Sequence, residues 1–197
     1  KLAKAFSVNE IVTLEDKNLH KLFFNEIVWS KTEEVMRKSG LYLKTMELKA
    51  PQRFALKFLR YWPIMSFFND IKFARMIAKD NAKVYATGAG IGILIVNDRD
   101  EDFLEAGRVL ERLWLQATQM GLSFHLITGP MFFWQNIHGG LTSHFSAGHI
   151  ELINEAYKKI ATIAGVETGI AALAFRVGFD GEPTARSTKA APVVEYL

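Results

Sequence analysis

The chain of 197 residues contains no cysteine. That absence excludes a disulfide scaffold, a thiolate-ligated metal or cluster, and a thiol nucleophile. Long apolar runs are also missing. The longest candidate, "IGILIV" at 91–96, is strand-sized and far below the roughly 18–20 residues that a membrane helix needs. Neither sign of charge dominates. Lys and Arg number 24 against 21 Asp and Glu, for a net charge of +3. The basic residues are scattered, so no nucleic-acid tail or stripe is present. A Gly-x-Ser-x-Gly nucleophile elbow is absent as well. No internal repeat and no low-complexity tract appear. Together these absences predict no membrane partner and no nucleic-acid partner, and they fit a cytoplasmic protein.

What is present is apolar and aromatic material. Hydrophobic residues make up 49% of the chain and aromatic residues 12%, with 15 Phe. That suits one large core, a subunit interface or a ring-binding pocket. The first residues, "KLAKAFSVNEIV", lack both an initiator Met and a secretory h-region. They read as the later part of a longer polypeptide.

Hydrophobic spacing predicts a helix across "DKNLHKLFFNEIV". A second, from Ser30 to about Lys38, is opened by a Ser-x-x-Glu capping box with Glu33 and stopped by Gly40. "LYLKTMEL" alternates imperfectly and is expected to be extended. Pro51 suits a first helical position, and Pro63 ends or kinks that helix. A further helix is expected over about 64–79. Next comes "IGILIV", expected as a strand buried on both faces. Asp98 and Glu101 then open a helix to about Met120 whose apolar residues point in too many directions for one stripe. Such a helix belongs inside a core or at a subunit interface. "FHLITGP" is a short apolar stretch with a turn at Gly129-Pro130, and "MFFWQNI" a short helix. A helix over about 147–164 ends at Gly165, and "GIAALAFRVGF" is a strand with Leu173, Phe175 and Val177 on one face and Arg176 on the other. The order of elements reads as α+β or α/β, with few strands and helices dominating.

Candidate sites compete with structural readings. The glycines of "GAGIG" precede a strand. A phosphate-cradling loop follows one, so these read as a flexible lead into the strand. His125, His138, His144 and His149 fit no standard ligand spacing and read as loop and surface residues. Glu101, Asp102 and Glu105 sit at a helix start, where carboxylates are favoured in any case. The aromatic helices over 51–79 read as a substrate lid or as core and interface packing. Arg186, Ser187 and Lys189 lie in a short extended stretch. They read as a solvated charge cluster or, with two cations and a hydroxyl within four residues, as a phosphate clamp.

Three segments taken together resemble the nitroreductase family of flavin enzymes. They are "AGRVLERLWLQATQMGLSFHLITG", "AALAFRVGF" and "PTARSTKAAPVVEYL". The residues that carry the resemblance are Gly107, Trp114, Leu115, Ala117, Gly121 and Leu122, the strand ending Arg176-Val177-Gly178, and the basic tail. "NEIVWS" followed by "GLYLKTMEL" is similar to longer members with an extra helical insertion. The family's Arg-x-Ser-x-Arg segment and its Asn-rich segment are absent and would precede Lys1. The resemblance implies an α+β fold with a small mixed or antiparallel central sheet flanked by helices, one of them buried and central, as one nitroreductase-like domain over 1–197 that lacks its N-terminal flavin motif, with 51–79 as a lid or insertion. It implies FMN at a homodimer interface and hydride transfer from NAD(P)H through the flavin to a nitroaromatic, quinone or related acceptor. Ile127, Thr128 and Gly129 would lie beside the flavin ring. Arg186 and Lys189 would hold its phosphate. The alternative is a non-catalytic flavin-binding or dimerisation module of the same fold.

Overall fold

The computed structural model describes residues 1–188, 190 and 191. In chain order the helices are α1 (Leu2–Phe6), α2 (Val8–Glu15), α3 (Lys17–Glu26), α4 (Lys31–Arg37), α5 (Ala50–Leu59), α6 (Trp62–Asp70), α7 (Phe73–Tyr85), α8 (Asp100–Gln119), α9 (Gly129–His138) and α10 (Ala147–Ala164). The strands are β1 (Ile27–Val28), β2 (Leu41–Tyr42), β3 (Gly90–Val96), β4 (Ser123–Ile127) and β5 (Ile170–Gly178). The fold is α+β and mostly helical. Two compact units share these elements. The first comprises Lys1–Thr13 and Lys72–Asp180; the second comprises Leu14–Ile71 and the tail from Gly181.

In the first unit the sheet is antiparallel in the order β3-β5-β4. β5 takes the centre because it carries the run of small residues Ala171, Ala172 and Ala174, all buried. Small side chains let helices approach closely, and α9 and α10 both pack on this strand. Gln135 of α9 donates to the Ala172 carbonyl at 2.9 Å, and the Tyr157 hydroxyl of α10 accepts the Ala171 N–H at 2.9 Å. The Tyr157 ring stacks on Trp134 with centroids 3.7 Å apart. α1 packs against α7, α9 and α10 and seals this side with the fully buried Phe6. The other side of the sheet carries a ring column. Phe175 of β5 stacks on Phe124 of β4 at 4.6 Å, and Phe124 stacks on Trp114 of α8 at 5.2 Å. Gly92 of β3 makes room for it, since a Cβ there would lie 2.2 Å from the Phe175 ring.

Two expectations are corrected here. β3 is an edge strand, and its outer positions Ile91 and Ile95 are 38% and 45% exposed, so it is not buried on both faces. α8 is not a buried central helix. Only Ala106 and Ala117 are buried, whereas Leu104 and Leu115 are 72% and 64% exposed. The helix meets the sheet through a narrow stripe, and in this single chain Leu104, Leu115 and Met120 are exposed. Burial on all sides needs cover on all sides, and the sheet supplies it on one side alone. Its start also differs: the N-cap is Arg99, without a side-chain cap bond, and Arg99 pairs with Asp102 at 2.8 Å.

In the second unit, β1 and β2 form a parallel two-stranded pair. Ser30 caps α4 as expected, accepting the Glu33 N–H at 3.1 Å. The Glu33 carboxylate reaches back to the Trp29 N–H at 2.9 Å, one residue earlier than in the usual box. Lys38, in a left-handed conformation, ends the helix two residues before Gly40. Within "LYLKTMEL" only Leu41–Tyr42 is extended; Leu43–Met46 forms a 3-10 turn. Pro63 opens α6 from its first turn instead of closing α5. The helix expected over 64–79 is broken at Lys72, whose φ of 62° no helix continues through. The segment 51–79 therefore crosses from the second unit into the first. His20 lies buried against Phe24 and Trp62, and its Nε2–H donates to the Leu59 carbonyl at 2.8 Å.

Candidate functional site

Alternation along β4 sends His125 and Ile127 to the α1/α9/α10 side and Phe124 and Leu126 to the α8 side. The register sets His125 opposite Arg176 and Ile127 opposite Ala174. The strand stops at Thr128, and Gly129 and the buried Pro130 begin α9 at once. Proline fixes its own φ and needs no N–H partner, so the turn is short and its direction set. Thr128 is the N-cap and makes no side-chain cap bond. The first amides of α9 therefore keep their positive end of the helix dipole uncapped by that residue.

Gly129 is where a side chain would fail. A Cβ built there lies 2.2 Å from Asn9 Oδ1 and 2.4 Å from Asn9 Cγ. The space freed by the glycine is filled by the carboxamide of α2. The next residue fixes that placement. Glu10 accepts the Tyr85 hydroxyl at 2.6 Å and the Asn81 Nδ2–H at 3.0 Å, both on its Oε1 and both from α7. Its Oε2 is buried without a hydrogen-bond partner among the described residues. Burial raises the Glu10 carboxyl above its ordinary range, and the two hydrogen bonds oppose that only in part. The Tyr85 phenol is pushed up by its own burial and then by the neighbouring Glu10.

The network continues across the sheet. Tyr85 stacks on His125 at 6.2 Å, and Arg176 Nε–H donates to His125 Nδ1 at 3.1 Å. That bond leaves the neutral imidazole proton on Nε2. Desolvation and then the Arg176 charge hold the His125 pKa below its usual value. The same guanidinium donates to the Val84 carbonyl and, at 3.2 Å, to Thr87 Oγ1. It thereby places a cation at the carbonyl end of α7, where one is favoured.

Arg186 belongs to the second unit, where its guanidinium is exposed and 3.4 Å from Glu182. Neither unit by itself contains both the turn and Arg186. Lys189 lies outside the described residues. What holds the tail are threonines. Thr184 gives its N–H and hydroxyl to Glu47, at 2.8 Å for each closest contact. Thr188 gives both to Glu34, its hydroxyl at 2.7 Å. Glu34 is only 3% exposed. Hydrogen bonds from Lys31 first, and then from Thr188, lower its carboxyl pKa to about 2.

An open groove of about 490 Å³ runs between β3 and α8, lined by Leu94, Val96, Asp102, Glu105 and Val109 among others; it includes none of the expected site residues. Among the described residues no group of three His, Cys, Asp or Glu could hold a metal, and no helix is long and apolar enough to cross a membrane.

Sequence reasoning reached the turn but missed Asn9, Glu10, Asn81 and Tyr85. The one available signal was a carboxylate set among Val8, Ile11 and Val12 of an amphipathic helix, which is common on solvated helices too.

The flavin implied by the resemblance can be tested against these groups. Backbone amides at a helix start and a carboxamide are the donors and acceptors that an imide ring edge requires, so the chemistry of the turn fits. The side of Gly129 that a ring face would use is taken by Asn9. No family model, curated protein or solved structure matches this chain.

Proposed function

We propose that this chain is an FMN-dependent oxidoreductase of the nitroreductase type, acting in the cytoplasm as a homodimer. Its reaction takes hydride from NAD(P)H and delivers it to a small acceptor such as a nitroaromatic or a quinone. When bound, the flavin would supply the two-electron chemistry itself. The protein's part is to hold, orient and exclude water.

The observation that carries this reading is the turn from β4 into α9. Its direction is set by Pro130, and the fully buried Met131 anchors it. Rigid support of this kind is what a positioned ring needs. The helix start favours an electron-rich ring edge through its dipole. Asn9 adds a neutral donor and acceptor at the same place. Arg186 and Lys189 are the cations proposed for the phosphate, a role that rests on the resemblance alone.

Asn9 over Gly129 also favours a second reading, a non-catalytic flavin-binding or dimerisation module of the same fold. Two measurements separate these readings. The purified protein, incubated with FMN, should retain flavin absorbance through gel filtration; a colourless protein after that treatment refutes the oxidoreductase and the flavin-binding module and leaves the dimerisation module alone. NAD(P)H oxidation with menadione as acceptor then decides between them, since turnover excludes the non-catalytic module.

A further inference from the structure

Core packing does not account for the rings of α5. Phe54, Phe58 and Tyr61 follow one another at four and three residues, so they share one face of the helix and its last turn. They are 65%, 48% and 50% exposed. Phe54 meets Phe58 edge to face at 4.9 Å, which makes the patch continuous. Arg53, Lys57 and Arg60 repeat the same spacing one residue earlier and form a cationic row along the flank of the rings. We propose that this face of α5 docks on an anionic lipid membrane, the three rings entering the boundary between headgroups and acyl chains and the three cations lying among the phosphates.

The charge of this segment is one-sided. No carboxylate occurs between Glu47 and Asp70. The ion pairs among the described residues involve none of Arg53, Lys57 and Arg60. Arg60 lies over the Trp29 and Tyr61 rings, 5.7 and 4.7 Å from their centroids, which holds its guanidinium without neutralising it. Leu59, off this face, is buried and anchors the helix. Rings in one row and cations in the next are what a helix lying in a membrane interface presents. A nucleic acid matches less well, because three cations offer few phosphate contacts. A second copy also matches less well, because an isologous contact would bring the two cationic rows together. An interfacial helix needs no spanning run, so the lack of one, from which no membrane partner was expected, does not bear on this face. α5 belongs to the second unit and the Gly129 turn to the first, and docking through α5 does not depend on flavin at that turn.

Vesicle co-flotation of the whole chain tests this. The protein should float with vesicles of phosphatidylcholine mixed with phosphatidylglycerol and stay behind with phosphatidylcholine alone. Combining Arg53→Gln, Lys57→Gln and Arg60→Gln should weaken binding to the anionic vesicles by roughly 100-fold, since each cation near such a surface contributes roughly 5-fold. Combining Phe54→Ser and Phe58→Ser should weaken it by roughly 10-fold or more, and salt should then release what remains. Lys158→Gln with Lys159→Gln, two exposed cations of α10, serves as the charge control and should bind as wild type does. Urea unfolding reports whether each variant is folded; if a combined variant is not, the single changes Phe54→Ser and Lys57→Gln carry the same comparison. Failure of wild type to float with the anionic vesicles overturns the proposal, as does a loss in the α10 control equal to that in the α5 variants. Two further results overturn it by giving the face another occupant. One is binding of a single-stranded oligonucleotide, lost in the α5 variants, without vesicle binding. The other is a dimer in gel filtration that Phe54→Ser with Phe58→Ser dissolves, again without vesicle binding.

Discussion

Gly92 offers a prediction whose sign depends on two opposed effects. Replacing a strand glycine by alanine normally stabilises by about 0.4–1 kcal/mol, because the unfolded chain loses freedom. At Gly92 the new Cβ would meet three atoms of the Phe175 ring, at 2.2, 2.7 and 2.7 Å. The ring is stiff and cannot bend away. It is stacked on Phe124 at 4.6 Å, and Phe124 in turn on Trp114 at 5.2 Å, so tilting it disturbs the whole column. Overpacking of this kind costs about 1–3 kcal/mol. The cost exceeds the gain, and Gly92→Ala should destabilise the protein by a net of about 0.5–2 kcal/mol. Phe175→Leu will itself lose stability through the smaller side chain. In the double variant the methyl should occupy space vacated by the ring, so the double should be more stable than the sum of the two singles predicts. Urea unfolding followed by tryptophan fluorescence measures all three, with Trp114 as a reporter inside the column. Strict additivity would refute the argument, because residues in contact must couple.

Two further predictions concern buried polar groups. The folded-state pKa of Glu10 is raised, so the native state keeps that proton when the unfolded chain has released it. Its contribution is therefore fully present below the unfolded value and declines as pH rises through the folded one. Glu10→Gln, which retains an oxygen for Tyr85 and Asn81, should show a smaller loss of stability between pH 5 and pH 8, and identical slopes in the two proteins would contradict this assignment. Tyr157→Phe removes the acceptor of the buried Ala171 N–H and should destabilise by about 1–3 kcal/mol while leaving the Trp134 stack in place; an unchanged urea midpoint would mean that this amide finds another partner.

Local chemistry made several elements legible before any coordinates. The helix over about 147–164 with Gly165 after it was readable from local spacing, and α10 does end at a left-handed Gly165. The apolar run "GIAALAFRVGF" made β5 readable for an equally local reason, whereas Gly129-Pro130, expected as a turn ahead of a helix, proves to be the first turn of α9. That order of elements left α+β and α/β both open, and the antiparallel sheet was decided only by the pairing of β5 with β3 and β4. Burial was another matter. The apolar side chains of α8 said only that something should cover them, and the sheet covers one narrow stripe. Lys38 and Lys72 end or break helices in left-handed conformations that their residue type does not advertise. The turn at Thr128-Gly129 could be read from composition; its occupant could not. Asn9 lies 120 positions from Gly129, and Glu10 lies 75 from Tyr85. Hydrophobic periodicity and capping act over a few residues, whereas the choice of which side chain fills a glycine's empty side, and which phenol a buried carboxyl meets, is made only when distant helices pack.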